Sequence, residues 1–187
     1  MTTGGSFDVV LAAASRGDQR ALEELYRGLA RGVLGYLRGH GAAEAEDLAS
    51  ETFVAMVRQL PRFRGDERSF RSWVFAIAHR RLLDERRRLS RRREHAVSPE
   101  ELVGTLADRS TGDAEQEALS RLGTRWAHRA IAGLTLDQRA VLLLRVLADL
   151  SVEEVASALG KSRGAVKALQ RRALLTLARQ IDREGVS

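Results

Sequence analysis

Two short segments near the carboxyl end of the chain combine helix-start signals with basic side chains. Ser151 and Glu154 have the spacing of a capping box, and Gly160 supplies the left-handed residue with which many helices end. Ser162 is placed to cap a second helix, one face of which would carry Arg163, Lys167, Gln170 and Arg171. A helix, a glycine turn and a basic second helix predict a helix-turn-helix that reads duplex DNA.

The apolar residues of this segment follow helical spacing on the opposite faces. They are Val152, Val155, Ala156 and Leu159 in the first helix, and Val166, Leu169, Ala173 and Leu177 in the second. A plain helical hairpin within an all-α core is the alternative interpretation. The agreement of caps, turn and basic face favours the DNA-binding motif. Thr135 is predicted to cap a supporting helix over residues 134–145.

The composition of the 187-residue chain limits the chemistry that it can perform. A net charge of +6 and a pI near 10.8 favour a polyanionic partner. The chain has no cysteine, which excludes disulfides, thiolate metal ligands and cysteine nucleophiles. Its four histidines lie far apart, and no glycine-rich phosphate loop is present. We therefore expect no enzymatic activity, no metal ion and no cofactor.

The sequence carries no sign of a membrane or export signal. No apolar run approaches membrane-spanning length, and the amino end lacks the pattern of a signal peptide. Charged residues make up 30% of the chain, which is typical of a soluble protein. We therefore predict a cytoplasmic protein.

Apolar residues recur at helical spacing along most of the chain, which contains only two prolines. The spacing predicts four helices before residue 90. The first ends near Gly17, the second near Gly39 and the third at Pro61, and Ser69 is predicted to cap the fourth. Residues 86–93 contain six arginines, and firm periodicity is lost after them. We predict an all-α fold of two small helical domains, 1–90 and 114–187, joined by a flexible linker over 91–113. The C-terminal domain contains the helix-turn-helix.

Acidic residues cluster around the first turns of the third predicted helix. Glu46 and Asp47 are favourable there on helix-dipole grounds alone. Glu51 lies one turn further on, where the dipole explains it less well. An acidic face on an otherwise basic DNA-binding protein suits a basic protein partner.

Arginines and aromatic residues are interleaved in the loop 62–68 and the helix after it. Arginine supplies phosphate contacts, and aromatic rings can receive unstacked bases. We expect Trp73 to belong to the core and Phe63, in the loop, to be the base contact. A polar face on the fourth helix would consist of His79, Arg80, Arg81, Asp84, Arg87 and Arg88. A solvated basic face is the alternative interpretation of these residues.

Taken together, three stretches resemble the extracytoplasmic-function sigma factors of the sigma-70 family. Residues 21–26 with 45–53 are similar to the family's core-polymerase-binding segment. Residues 60–65 and 70–78 are similar to its promoter-melting segment, and 138–145 with the helix-turn-helix to its −35-reading segment. The resemblance covers about residues 7–90 and 114–180.

The resemblance implies two domains, called region 2 and region 4, and assigns roles to their residues. Region 2 would bind the clamp helices of the polymerase β′ subunit through Glu46, Asp47 and Glu51, with Phe53 supporting the helix. It would hold the −10 promoter element with Arg62, Phe63, Arg64, Gly65, Asp66, His79, Arg80, Arg81, Asp84, Arg87 and Arg88. Region 4 would contact the β flap and read the −35 element with Arg163, Lys167, Ala168, Arg171 and Arg172. An anti-sigma factor is a further expected partner, and membrane insertion is not expected.

Three hypotheses for the function follow. The first is an alternative sigma factor that binds core RNA polymerase, directs it to specific promoters and promotes strand opening. The second is a stand-alone helix-turn-helix transcriptional regulator that binds duplex DNA without replacing sigma. The third is an adaptor or inhibitor that binds polymerase through the acidic helix alone. Charge reversal at Asp47 and Glu51 distinguishes the third hypothesis from the first, because only a sigma factor would lose promoter-dependent transcription as well as binding to polymerase.

Overall fold

A computed structural model of the chain describes residues 4–95 and 129–184. The helices are α1 (Gly4–Ser15), α2 (Gln19–Gly39), α3 (Ala45–Gln59), α4 (Glu67–His95), α5 (Leu136–Leu147), α6 (Val152–Leu159) and α7 (Arg163–Glu184), with a 3-10 turn at Leu60–Arg62. No strand occurs in this part of the chain, and the predicted all-α fold is confirmed. The predicted linker beyond residue 95 and the predicted C-terminal domain as far as residue 128 lie outside the described residues.

The N-terminal unit, α1–α4, is assembled around α2. The Asp18 carboxylate accepts a hydrogen bond from the Ala21 N–H at 2.8 Å and thereby caps α2. The buried stripe of α2 packs against α1, α3 and α4. The largest fully buried side chains of this unit are Tyr36, Leu37, Met56, Leu60, Phe75 and Leu82.

Helix α4 begins earlier and ends later than the sequence predicted. Ser69 was expected to be its cap, but the Asp66 carboxylate takes that role by accepting the Ser69 N–H at 2.8 Å. The Phe70 N–H also bonds to the Asp66 carbonyl at 2.9 Å, so the helical ladder already starts there. At its other end α4 continues through the arginine run to His95, beyond the predicted start of the linker at residue 91.

The C-terminal unit, α5–α7, has the geometry of a helix-turn-helix. Thr135 and Ser151 each form a complete capping box, with Gln138 and Glu154 respectively. Gly160 ends α6 with φ 62°, a left-handed conformation that favours glycine. Helix α6 packs against α7, and Val155 and Val166 are fully buried between them and their neighbours. These local predictions are confirmed.

The two units pack directly against each other, an arrangement that the predicted flexible linker had left open. Helix α6 lies on α4, and α5 lies on α2. Their buried side chains form one continuous hydrophobic core that includes Phe75 from one unit and Leu144 from the other. Two side chains of α4 bond across the junction: Ser72 Oγ donates to the Glu154 carbonyl at 3.0 Å, and Arg71 to the Ala148 carbonyl at 3.4 Å.

His40, immediately after α2, is buried at this junction. Only 2% of the residue is exposed, and neither ring nitrogen has a hydrogen-bond partner among the described residues. Its carbonyl oxygen accepts hydrogen bonds from Arg86 at 2.7 Å and from Arg139 at 3.4 Å. Burial is the main cause that lowers the pKa of His40 to about 3, and the nearby charges of Arg86, Arg139 and His79 lower it further.

We expect the free energy of unfolding to depend on His40 in acid. Because its pKa is lower in the folded state, the unfolded chain binds the extra proton. The stability contributed by neutral His40 is complete above the unfolded pKa of about 6.5 and is lost as the pH falls towards 3. Denaturant titrations between pH 7 and pH 4, on the parent chain and on His40→Phe, should show a shallower loss in the variant. Equal slopes would contradict this assignment.

Candidate nucleic-acid interfaces

One face of α7 presents the residues that were predicted to read the −35 element. Ser162 Oγ accepts the Ala165 N–H at 3.2 Å and caps the helix. At about 100° per residue, the predicted readers lie within one half of the helix surface, opposite the buried Val166 and Ala173. The readers, all exposed, are Arg163, Lys167, Ala168, Arg171 and Arg172, and we call them the reading face.

The basic side chains of the reading face differ in how they are held. Arg163 forms an ion pair with Glu153 of α6. The Arg172 guanidinium bonds to the Ala168 carbonyl at 3.3 Å, one turn back along the helix. Within the described residues, Lys167 and Arg171 form no hydrogen bond or ion pair, so their charges are available to an external anion.

A pocket of aromatic and arginine side chains lies where the 3-10 turn meets α4. The rings of Phe63 and Trp73 stack, with centroids 4.9 Å apart and planes 29° apart. The pocket is lined by Gln59, Arg62, Phe63, Arg64 and Trp73, and we call it the aromatic pocket. Trp73 was expected in the core, but it is only partly buried and forms one wall of this pocket.

The remaining loop residues mainly shape the loop. Arg64 Nη1 bonds to the carbonyls of Pro61 at 2.9 Å and Phe63 at 2.6 Å. Gly65 has φ 151°, and a Cβ there would lie 2.9 Å from Ser69 Cβ, so a side chain is excluded. Hydrogen bonding with Ser69 lowers the pKa of the Asp66 carboxyl, which is the helix cap described above.

Replacing Asp66 by alanine should therefore destabilise the N-terminal unit rather than act only on DNA. Losing a helix cap costs about 1 kcal/mol of unfolding free energy. The free energy of unfolding, measured by denaturant titration, is expected to fall by that amount in Asp66→Ala. Asp84→Ala is the matched control, because Asp84 is an exposed carboxylate in the interior of the same helix. If both variants are equally stable, Asp66 does not have the capping role.

Most of the predicted polar residues of α4 share one exposed face, which we call the arginine face. Its members are Arg80, Arg81, Asp84, Arg87 and Arg88. Arg87 is held by Asp84 at 3.3 Å, and Arg81 lies 3.8 Å from Glu51 of α3. His79 does not belong to this face. Its Nδ1 is hydrogen-bonded to the Tyr36 hydroxyl at 2.8 Å, and burial is the main cause that lowers its pKa.

The acidic residues of α3 also lie on an exposed face. Asp47 and Glu51 point outwards, whereas Glu46 is turned towards Arg38, with 2.5 Å between Oε1 and Nη2. Phe53 is buried and supports the helix from within, edge-on to Tyr26 at 4.6 Å. Val54 and Val57 continue the surface and are 49% and 42% exposed. We call Asp47, Glu51, Val54 and Val57 the acidic face.

The valines of the acidic face were missed by sequence reasoning. They are apolar residues at positions where helical spacing allows a buried face, so the sequence indicated that they belong to the core. The signal that could have found them is their register with Asp47 and Glu51, since residues three, four and seven apart share one helix face. Exposed valines beside carboxylates are typical of a protein-docking surface rather than a nucleic-acid surface.

The described residues contain neither a membrane-spanning helix nor a cluster of metal-ligating side chains. None of the helices in 4–95 and 129–184 is both long and apolar enough to cross a membrane. Over the same residues, histidine, aspartate and glutamate side chains form no group of three or more that could hold a metal ion.

Comparison with known proteins gives matches along nearly the whole chain. The family model for Sigma-70 region 2 matches residues 22–92, and that for Sigma-70, region 4 matches residues 124–177. The chain is 35% identical to the ECF RNA polymerase sigma factor SigD of Mycobacterium tuberculosis over 97% of this chain and 87% of the relative. It is 37% identical to the ECF RNA polymerase sigma factor ShbA of Streptomyces griseus over 79% and 76% of the two chains. In fold it is similar to CnrH, solved in complex with the cytosolic domain of CnrY, with a TM-score of 0.65, 24% identity and coverage of 93% and 96%.

Proposed function

The chain belongs to the extracytoplasmic-function sigma factors of the sigma-70 family, and we propose that separate exposed surfaces bind the −35 element, the −10 element and core polymerase. It is an alternative RNA polymerase sigma factor, which binds core polymerase and directs it to specific promoters. A stand-alone regulator is not favoured, because the region 2 match adds a second module to the helix-turn-helix.

The reading face of α7 contacts the −35 element in the major groove. A major groove about 12 Å wide accepts one helix, and basic side chains there reach phosphates and guanine edges. The observation that carries this assignment is the exposure of all five reading-face residues on one side of a capped recognition helix. Lys167 and Arg171 make the base contacts, since no internal partner competes for them in the described chain. Arg163 first has to leave Glu153.

The aromatic pocket and the arginine face hold the −10 element. The stacked rings of Phe63 and Trp73 offer a platform for a base that becomes unstacked when the strands open, and this stacking offsets part of the cost of opening. Arg62 beside the pocket and the arginine face along α4 supply phosphate contacts to the same strand. His79 contributes to the −10 surface indirectly: it is half-buried behind the arginine face, and its Nδ1 is hydrogen-bonded to the Tyr36 hydroxyl.

The acidic face of α3 binds core polymerase. Its two carboxylates fit the basic clamp helices of the β′ subunit, and its two valines supply apolar area to the same contact. Contacts of the C-terminal unit with the β flap, and inhibition by an anti-sigma factor, complete the proposed set of partners. RNA synthesis itself is catalysed by the polymerase, and this chain supplies promoter choice and strand opening.

The experiment that tests the proposed function is transcription by core RNA polymerase on a library of promoter fragments, with and without the chain. Transcripts with defined start sites that appear only when the chain is added support the proposal, and their templates reveal the preferred −35 and −10 sequences. If core polymerase binds the chain but transcribes none of the fragments, an adaptor is the better description. Duplex binding by the chain without any binding to core polymerase would favour the stand-alone regulator.

A further inference from the structure

A cleft opens between α1, the middle of α2 and the first turns of α4. Its volume is about 150 Å³, and none of its residues belongs to the reading face, the aromatic pocket, the arginine face or the acidic face. Its floor is apolar and consists of Phe7, Val10, Leu25, Leu29 and Phe70. All of these except the half-buried Val10 are buried core residues, so a group that enters the cleft meets a preorganised apolar surface.

The cleft and the acidic face lie on different sides of α2. The Tyr26 ring packs edge-on against Phe53 of α3, with centroids 4.6 Å apart. Glu24 and Gly28 line the cleft, and each is two residues from Tyr26, or about 200° around the helix. A partner bound in the cleft is therefore distinct from a partner bound to the acidic face.

Gly28 lies at the mouth of the cleft and has no packing reason to be a glycine. Among the described residues, a Cβ built on Gly28 meets no atom within 4 Å outside its own stretch of helix, whereas one on Gly32 lies 3.2 Å from the Phe75 ring. Glycine in a helix interior is destabilising relative to alanine. Packing within the described chain does not account for Gly28, but an external group that enters past the backbone of α2 does.

The mouth of the cleft is acidic in an otherwise basic protein. Its charged residues are Glu24 of α2 and Glu67 and Arg71 of α4, so two carboxylates against one guanidinium leave a net charge of −1. The Arg71 guanidinium is already engaged, at 4.0 Å from Glu67 and as a donor to the Ala148 carbonyl at 3.4 Å. The whole chain has a net charge of +6. This mouth therefore repels nucleic acid and favours a cationic group.

The size of the cleft fits one side chain rather than a whole metabolite. Sites for small organic ligands usually measure about 300–1,000 Å³. A volume of about 150 Å³ is instead enough for one benzene-sized group. Single apolar side chains that fill such pockets contribute much of the binding energy in protein interfaces.

We propose that the cleft is a docking site for a partner protein, and that the bound segment inserts one leucine- or phenylalanine-sized side chain next to a lysine or arginine. The apolar side chain fills the space beside Gly28, and the basic side chain pairs with Glu24 or Glu67. This contact is additional to the surfaces proposed for core polymerase and promoter DNA.

A selection from displayed short random peptides tests the chemistry of the partner. The library is first depleted on Gly28→Leu and then selected on the parent chain. Leucine stabilises a helix relative to glycine, so the variant should fold, and its side chain should occupy the mouth of the cleft. Depletion removes peptides that bind the acidic face, which the variant retains. We expect the enriched peptides to share a large apolar residue within one helical turn of a lysine or arginine. No enrichment, or enriched peptides without a basic residue, would overturn the proposal.

The affinity of one enriched peptide for charge variants tests its location. Glu24→Gln with Glu67→Gln should weaken binding about threefold or more at low salt, and less at high salt. Glu23→Gln with Asp8→Asn is the matched control, because both residues are exposed carboxylates that lie next to cleft residues in the chain but outside the cleft. The control should bind the peptide as the parent chain does. An equal loss of affinity in the two double variants would show that the peptide responds only to general charge, and the proposed site would be wrong.

Two further measurements separate this inference from other occupants and from the proposed function. Promoter-specific transcription with core polymerase should be equal for Gly28→Leu and the parent chain, and its loss in the variant alone would make the cleft part of initiation rather than an additional site. If sedimentation shows a dimer of the parent chain that Gly28→Leu dissociates, a second copy occupies the cleft and the proposal is wrong. If neither protein supports transcription, the proposed function fails, and peptide binding still decides the role of the cleft.

Discussion

Alanine at both Lys167 and Arg171 is expected to weaken binding to the −35 element by at least thirtyfold and to relax base preference there. Each specific base contact contributes about 1–3 kcal/mol, and about 1.4 kcal/mol corresponds to a factor of ten in affinity. Both side chains are exposed and form no hydrogen bond or ion pair among the described residues, so the fold should not change. The measurement is duplex binding at fixed salt, on the preferred −35 sequence and on single-base variants of it.

Arg179→Ala is the matched control for this experiment. Arg179 is exposed on the same helix but lies beyond the reading face, so its loss should reduce affinity only through general charge. Unchanged base preference in the double variant would remove Lys167 and Arg171 from the set of readers. A loss that is equal on all sequences would assign them to phosphate contacts instead.

Charge reversal of Asp47 and Glu51 to lysine is expected to abolish promoter-dependent transcription by weakening the complex with core polymerase. Removing one partner of a charge pair that is buried in a protein interface costs about 2–5 kcal/mol, and reversal adds repulsion. Both residues are exposed in the free chain. The contact of Glu51 with Arg81 is a surface pair, which contributes little to folding. Binding to core polymerase and promoter-specific transcription should be measured on the same preparation.

Asp8→Lys is the control for the general effect of charge, since Asp8 is exposed on α1, outside the segments that resemble the polymerase-binding part of the family. It should retain binding to core polymerase. If the double reversal retains both binding and transcription, the acidic face is not the polymerase contact.

The aromatic pocket illustrates how far residue type alone could assign a role. Phe63 was predicted as a base contact because it lies in a loop, and Trp73 as core because it lies on the apolar stripe of α4. In the fold the two rings stack on each other, so they form one surface feature. Helical spacing indicates that a residue faces inwards, but it does not say how far the neighbouring helix extends to cover it.

The sequence itself determined the helix-turn-helix, whereas only the tertiary structure decided how the two units pack against each other. Capping boxes and a left-handed glycine depend on groups within four residues of each other. The local sequence at Ser151, Glu154 and Gly160 therefore suffices to predict where α6 begins and ends. Ser69 was predicted to cap α4, but Asp66 has that role, because the helix begins at Glu67. Contacts such as Gly39 with Leu143 depend instead on complementary surfaces far apart in the chain. A glycine has no side chain whose type could indicate a distant contact, so the sequence did not show that Gly39 leaves room for Leu143 of α5.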